Sequence, residues 1–247
     1  MSGGVRRTRF AARLKAWIPE PIAALLRPGW RRLHVWLEQR RYRFEYGRTW
    51  YDSGYHVKLG EISDGKAARL EYWEAEGYRT RLMKVCDELD RHVAFSTPTR
   101  YLEVACMYGK TAFWMAERYP QFGVWTFDFS ERFVEHCRVH NPIGDRLHIW
   151  QGDCTRICDG KERFDSFFDF GTCIDVTEHL PADVYRGLLR ELARVIKPGG
   201  HLLLMQGNTV QVEHIHILSE EELVADVEQA GLRWVATLPE RHHLFER

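Results

Sequence analysis

The sequence predicts a doubly wound α/β fold, a mostly parallel sheet with crossover helices, preceded by a basic helical extension. Three observations predict it. From Arg100 onward, short apolar runs alternate with helical segments, as parallel strands alternate with the helices that connect them. A turn of small residues follows the first of these runs, at the sheet edge where open α/β sheets bind their ligands. A helix between the fourth and fifth runs is closed by Lys197-Pro198-Gly199-Gly200, a combination that stops helices.

The predicted strands are Tyr101–Ala105, Val124–Asp128, Leu147–Gln151, Phe168–Asp175 and His201–Gln206. The helix after the fourth strand has Pro181 in its first turn, and Val184, Leu188, Leu192 and Val195 share one face. A further helix opens on a capping box, Ser219 to Glu222, and continues through Leu223, Val227 and Ala230. Leu232–Thr237 and His242–Glu246 then supply a closing antiparallel pair. No internal repeat or low-complexity tract is present.

With 247 residues and 45% hydrophobic content, the chain can bury one large core. The balance of 35 basic and 35 acidic residues hides an asymmetry, because residues 1–50 carry 12 Lys or Arg and 3 Asp or Glu. That leader is broken at Pro19, Pro21 and Pro28-Gly29, and a better helix follows at about 30–44, where Trp30, Leu33, Leu37 and Phe44 are flanked by arginines. Such a run is ordinarily a solvated helix face; it also suits peripheral contact with an anionic membrane. Residues 1–64 are read as a basic, aromatic-rich extension whose segment 30–60 serves as lid, and 65–247 as the main domain, opening on a helical stretch at about 65–92. The six cysteines show no metal-site spacing and read as reduced core residues. With no apolar span of membrane length and no secretory signal, a cytoplasmic protein is expected.

The chemistry sits at the ends of the first four strands. Glu103-Val-Ala105-Cys106-Met107-Tyr-Gly109-Lys110 forms the turn whose backbone N–H groups can approach a ligand. Asp128 ends the second strand, positioned to accept from two ribose hydroxyls, and Asp153 follows the third, positioned to accept from an adenine amino group. Alone, either acid would more often end a strand or cap a helix; their joint spacing after the Glu103 turn favours the ligand.

These motifs resemble the class I S-adenosylmethionine-dependent methyltransferases, in particular the broad small-molecule group. The resemblance runs over about residues 99–247: Leu102 to Gly109, Phe127-Asp128-Phe129-Ser130, Gln151-Gly152-Asp153-Cys154, Phe168-Asp169, Glu178-His179-Leu180-Pro181, Arg194 to Gly200, and His216 to Leu223 with Ala230-Gly231-Leu232. It implies a Rossmann-like, seven-stranded, mostly parallel sheet with an antiparallel C-terminal strand. S-Adenosylmethionine is the implied cofactor, held by Glu103, Ala105, Cys106, Gly109, Asp128, Phe129, Asp153, Cys154 and Ile174. The implied acceptor is an O or N nucleophile on a small molecule or glycan, with no nucleic acid expected.

One departure stands out: Ala105 and Met107 replace two of the first motif's three glycines. Alanine is cheap there unless φ is positive, whereas methionine adds bulk near the cofactor. A loop rearranged to exclude the ligand would leave a non-catalytic scaffold. Gly109-Lys110-Thr111 also imitates the end of a P-loop, but the glycine that motif requires is Val104.

A hydroxyl acceptor needs a base, and His179, beyond the fourth strand, is the candidate, with Asp175 as orienter or alternative. His179 could equally open the helix at Pro181. Glu178, His179, His214 and His216 could also gather as metal ligands; pocket lining or surface histidines are the more ordinary outcome, and no metal is expected.

Overall fold

In the computed structural model the described residues are 76–247, apart from 159–163 and 210–213, together with Leu33 and Trp36, both helical. Apart from those two positions, the basic leader, the 30–60 lid and the aromatic linker lie outside the described residues, as does the start of the helix expected from about 65.

Among the described residues the chain runs α1 (Glu76–Leu89), β1 (Thr99–Val104), α2 (Lys110–Arg118), β2 (Phe122–Asp128), α3 (Glu131–Val139), β3 (Leu147–Gln151) and β4 (Phe168–Ile174). It continues with α4 (Ala182–Val195), β5 (Ile196–Met205), α5 (Glu220–Gln229), β6 (Arg233–Leu238) and β7 (His242–Glu246). The seven strands form one sheet in the order β3-β2-β1-β4-β5-β7-β6. Strands β1 to β5 are mutually parallel where they pair, and β7 is antiparallel to both β5 and β6. The strand order reverses between β1 and β4, so their carboxyl ends flank the crevice where such sheets bind ligands.

Alternation along the strands builds two cores, one on each face of the sheet. Leu102, Val104, Phe127, Phe168, Cys173, Leu202 and Leu204 face α4 and α5, packing with Leu188, Leu192, Val195, Leu223 and Val227. Tyr101, Phe122, Val124, Phe170 and Leu203 face the other way, against Leu82, Val85 and Leu89 of α1 and Ala112 and Met115 of α2. The expected apolar stripe of α4 is present, with Val184 only partly buried at its margin. The capping box is also present: Ser219 Oγ accepts from Glu222 N–H at 3.2 Å, and Ser219 N–H donates to Glu222 Oε2 at 2.8 Å.

The Lys197–Gly200 segment corrects the sequence reading. It lies inside β5, which follows α4 without a loop. Ile196 pairs with Phe168, the register then shifts, and His201 pairs with Phe170. Gly199, at φ 75°, makes that bulge possible, since left-handed backbone strains any residue with a Cβ.

Candidate functional site

The first-motif turn leaves β1 at Glu103. The three positions where the family pattern has glycine are all left-handed: Ala105 at φ 58°, Met107 at φ 48° and Gly109 at φ 74°. The loop has kept the glycine backbone despite the side chains it carries. Several contacts hold it there. Cys106 N–H donates to Phe127 O at 3.0 Å, Gly109 N–H donates to Cys106 O at 2.6 Å, and Cys137 Sγ lies 3.4 Å from Met107 O.

Asp128 is the main anchor. Its Oδ2 accepts from Met107 N–H at 3.0 Å and its Oδ1 from Ser130 N–H at 2.9 Å, and the residue is 3% exposed. Asp128 therefore fixes the strained loop. Glu103 is buried at the end of β1, and its Oε2 has no hydrogen-bond partner among the described residues. Burial pushes its carboxyl well above the ordinary range, helped by Cys137 and Asp128 and opposed by the Ala112 backbone hydrogen bond. An orphaned buried acceptor beside a loop of this shape suits a ligand carrying a donor, such as an amino group.

Asp153 lies past β3, where its Oδ1 accepts from Thr155 N–H at 2.9 Å and Thr155 Oγ at 2.7 Å. That fixes the turn carrying Cys154, which packs on the apolar cluster containing Trp150 and Phe127. Phe129 O accepts from the Gln151 side chain at 2.9 Å, joining the turns after β2 and β3. Ile174 ends β4, half-buried, and is followed by Asp175 at φ 54°, another left-handed residue at the crevice.

Asp175, Glu178, His179 and His214 converge beyond β4. Glu178 and His179 lie on a short 3-10 turn, Thr177–His179. Glu178 is fully buried, with Oε1 accepting from Gly207 N–H at 2.9 Å. Burial and the neighbouring Asp175 carboxyl push its proton affinity up to about 8; Asp175 is raised too, chiefly by burial. The segment after β5 returns to this point because Ile215 and His216 N–H both donate to Glu178 O, at 2.8 and 3.0 Å. His179 and His214 then meet edge to face with ring centroids 4.8 Å apart, and His214 Nδ1 is 2.7 Å from Thr209 O. Glu178, His179 and His214 each offer a ligand atom within 4.8 Å of the others. That set can move a proton or hold a divalent ion. His216 does not join it, its ring lying against Tyr185 at 4.8 Å.

The sequence reading missed the first turns of α1. Tyr78 is half-buried, with its proton affinity raised to about 12 by burial and by Asp175, and lowered by a hydrogen bond to Thr111. Arg81 acts electrostatically on both Asp175 and Tyr78. An aromatic and an arginine three residues apart on the helix before β1 was the one signal available.

Residues 102–200 match a family model described as a methyltransferase domain. The chain carries a class I S-adenosylmethionine-dependent methyltransferase domain. The ubiquinone biosynthesis O-methyltransferase of Neisseria meningitidis serogroup A is 28% identical over 175 residues, covering 69% of this chain and 71% of that one. The tRNA N(3)-methylcytidine methyltransferase of Schizosaccharomyces pombe is 29% identical over 107 residues, 43% of each chain. Among solved structures, the Haemonchus contortus phosphoethanolamine N-methyltransferase 2 bound to S-adenosyl-L-methionine superposes with a TM-score of 0.57 at 18% identity. It covers 75% of this chain and 44% of that one, a likeness of fold. S-Adenosylmethionine is the methyl donor of this methyltransferase. The P-loop alternative falls, because the turn that imitated it lies inside the matched domain. Among the described residues, no helix is long and apolar enough to cross a membrane.

Proposed function

We propose that this methyltransferase acts on a small-molecule or glycan-type acceptor and, within that class, methylates a hydroxyl. The observation that carries the reading is the gathering of His179 and His214 around the buried Glu178 and half-buried Asp175 carboxyls, beyond β4. An amine acceptor needs little help with its proton, whereas a hydroxyl needs a positioned base. The relative in ubiquinone biosynthesis, an O-methyltransferase by name, supports the same choice.

When bound, S-adenosylmethionine supplies a methyl group made electrophilic by its sulfonium. Glu103, Ala105, Cys106 and Gly109 would bind its methionine end. Asp128, Phe129, Asp153, Cys154 and Ile174 would bind the adenosine. The protein's part is positioning, since in-line alignment and exclusion of water supply most of what such a transfer requires. His179 takes the acceptor's proton. Asp175 orients it, and Glu178, protonated near neutrality by its burial, donates toward its carboxylate neighbour.

The test is methyl transfer from labelled donor to phenol, catechol, amine and RNA acceptors. The reading expects a hydroxyl substrate, with His179→Asn lowering turnover roughly 10²–10⁴-fold at nearly constant cofactor affinity. Transfer to RNA alone, or full turnover in the variant, would refute it. The set of donors on Glu178, His179 and His214 favours a second reading, in which a divalent ion acidifies the acceptor hydroxyl. Activity lost to a chelator and restored by the metal would select it.

A further inference from the structure

Two free thiols meet at the first-motif turn. Cys106 lies on the turn itself, 3% exposed, and Cys137 lies on α3, fully buried. Cys137 Sγ is placed to donate to Cys106 Sγ at 3.8 Å or to Met107 O at 3.4 Å. It is also 3.0 Å from the point where a Cβ on Gly109 would lie. The Cys137 sulfur thus fills the hollow of the turn. We propose, on the reading that this turn holds S-adenosylmethionine, that Cys106 and Cys137 are a modification site, a dithiol that peroxide converts to a disulfide that shuts off cofactor binding.

Geometry couples the bond to the ligand. A disulfide holds its sulfurs about 2.0 Å apart, so the pair must close by roughly 1.8 Å from its separation of 3.8 Å. Shared equally, that moves each sulfur by roughly 0.9 Å, whereas binding groups tolerate displacements of only about 0.5 Å. The turn cannot follow freely, because Cys106 N–H donates to Phe127 O at 3.0 Å and Cys106 O accepts from Gly109 N–H at 2.6 Å. Closing the bond also removes the Cys137 thiol proton that Met107 O accepts, in a turn where Ala105 and Met107 are already left-handed.

Chemistry sets when the bond forms. The contact with Cys137, and then burial, raise the proton affinity of Cys106, so the sulfur starts as a thiol. Hydrogen peroxide is neutral and little larger than water, which suits it to a crevice that no ligand fills. The Cys106 sulfur attacks one peroxide oxygen, the O–O bond breaks, and water leaves with the thiol proton, giving a sulfenic acid. The Cys137 sulfur then attacks that sulfur, the S–O bond breaks, and a second water carries off the second thiol proton. Two electrons pass from the sulfurs to the peroxide. A bound cofactor covers Cys106 and blocks the first step.

The experiment treats the full chain with hydrogen peroxide, with and without S-adenosylhomocysteine, and reads the products by peptide mass mapping and by calorimetric affinity for S-adenosylhomocysteine. Mapping should find the peptides that carry Cys106 and Cys137 joined by a reducible link. Affinity should fall at least about tenfold, the cost of roughly one hydrogen bond, and return on treatment with dithiothreitol. Ligand at about 100 times its Kd should slow formation of the link about a hundredfold, because only the empty fraction reacts. Cys137→Ala and Cys137→Ser should form no such link and keep their affinity through the same treatment; reversal in the wild type stands by itself should a variant fail to fold. Thiols that stay unlinked in excess peroxide, a link that leaves affinity unchanged, or a link that forms equally fast with ligand present would each overturn the proposal. Asp128→Asn tests the cofactor assignment on its own, so its failure is seen apart from failure of the switch.

Discussion

Gly109→Ala tests the claim that the first-motif loop depends on left-handed backbone. At φ 74° an alanine pays about 1–2 kcal/mol in the left-handed region. Its Cβ would also lie 2.6 Å from Phe113 Cε2, 2.8 Å from Phe113 Cζ and 3.0 Å from Cys137 Sγ. The phenyl ring is half-buried against a cavity and can swing away, but Cys137 is fully buried and cannot. Overpacking of this kind costs about 1–3 kcal/mol, and the stiffer unfolded chain returns roughly 0.4–1 kcal/mol. The net loss is about 1–4.5 kcal/mol, a fall in melting temperature of roughly 2–18 °C for a chain of this size. Thermal unfolding of the full chain measures it. Ala105→Gly is the reciprocal variant: relief of the strain at φ 58° is nearly offset by glycine's entropy, so its melting temperature should stay level or rise slightly. An unchanged melting temperature in Gly109→Ala, or a large fall in Ala105→Gly, would refute the reasoning.

Asp128→Asn should weaken S-adenosylhomocysteine binding roughly 10- to 100-fold in calorimetry, because a neutral amide loses a charge-assisted hydrogen bond and cannot accept from both Met107 and Ser130 N–H groups. Equal affinity in the variant would remove Asp128 from the cofactor site. Glu178 keeps its proton in the folded state up to about pH 8, whereas the unfolded chain releases it at the ordinary value of roughly 4.3. The native state therefore binds more protons across that window, so stability should fall as pH rises through it, by at most about 1.4 kcal/mol per pH unit, and level off above. Glu178→Gln should reduce this slope, and denaturant titrations with identical slopes in both proteins would contradict the assignment. The basic leader should give co-sedimentation with anionic vesicles that weakens as salt rises, each basic group contributing roughly 1 kcal/mol; indifference to lipid charge would end the membrane reading.

What the sequence made legible was whatever local chemistry dictates. The capping box at Ser219, the apolar face of α4 and the run His242–Glu246 follow from residue type and spacing, and the structure has them at those positions. Lys197–Gly200 misled because a Lys-Pro-Gly-Gly run stops helices wherever it stands. Whether the next residue waits in a loop or enters a strand depends on pairing with Phe168 and on Arg247, whose carbonyl accepts from Gly199 N–H at 2.7 Å. Tyr78 and Arg81 were hard to assign for a related reason, since the place of α1 is set by its packing into the core that holds Tyr101 and Met115. Histidine at 214 could be noted as a residue type, but its approach to His179 is made by two backbone hydrogen bonds to Glu178 O, which no spacing encodes.

The substituted glycines bear on whether this loop still serves a ligand. A sequence freed from cofactor binding could relax Ala105 and Met107 into right-handed backbone, recovering about 1–2 kcal/mol at each. Both remain left-handed, and Met107 is held there by the carboxylate assigned to the ribose. Strain retained at two positions, next to a buried oxygen on Glu103 with no partner among the described residues, is what a preserved binding site would show. The scaffold alternative requires the opposite, a loop that has settled into its own lowest-energy form with its buried acceptors satisfied. On the proposed cofactor site, the Ala105 and Met107 side chains would shape the cofactor's surroundings and not close them. Met107 contributes its N–H to Asp128 and its carbonyl to Cys137, both through backbone atoms that glycine also has, so the substitution leaves this hydrogen bonding intact and changes only the surface the loop presents.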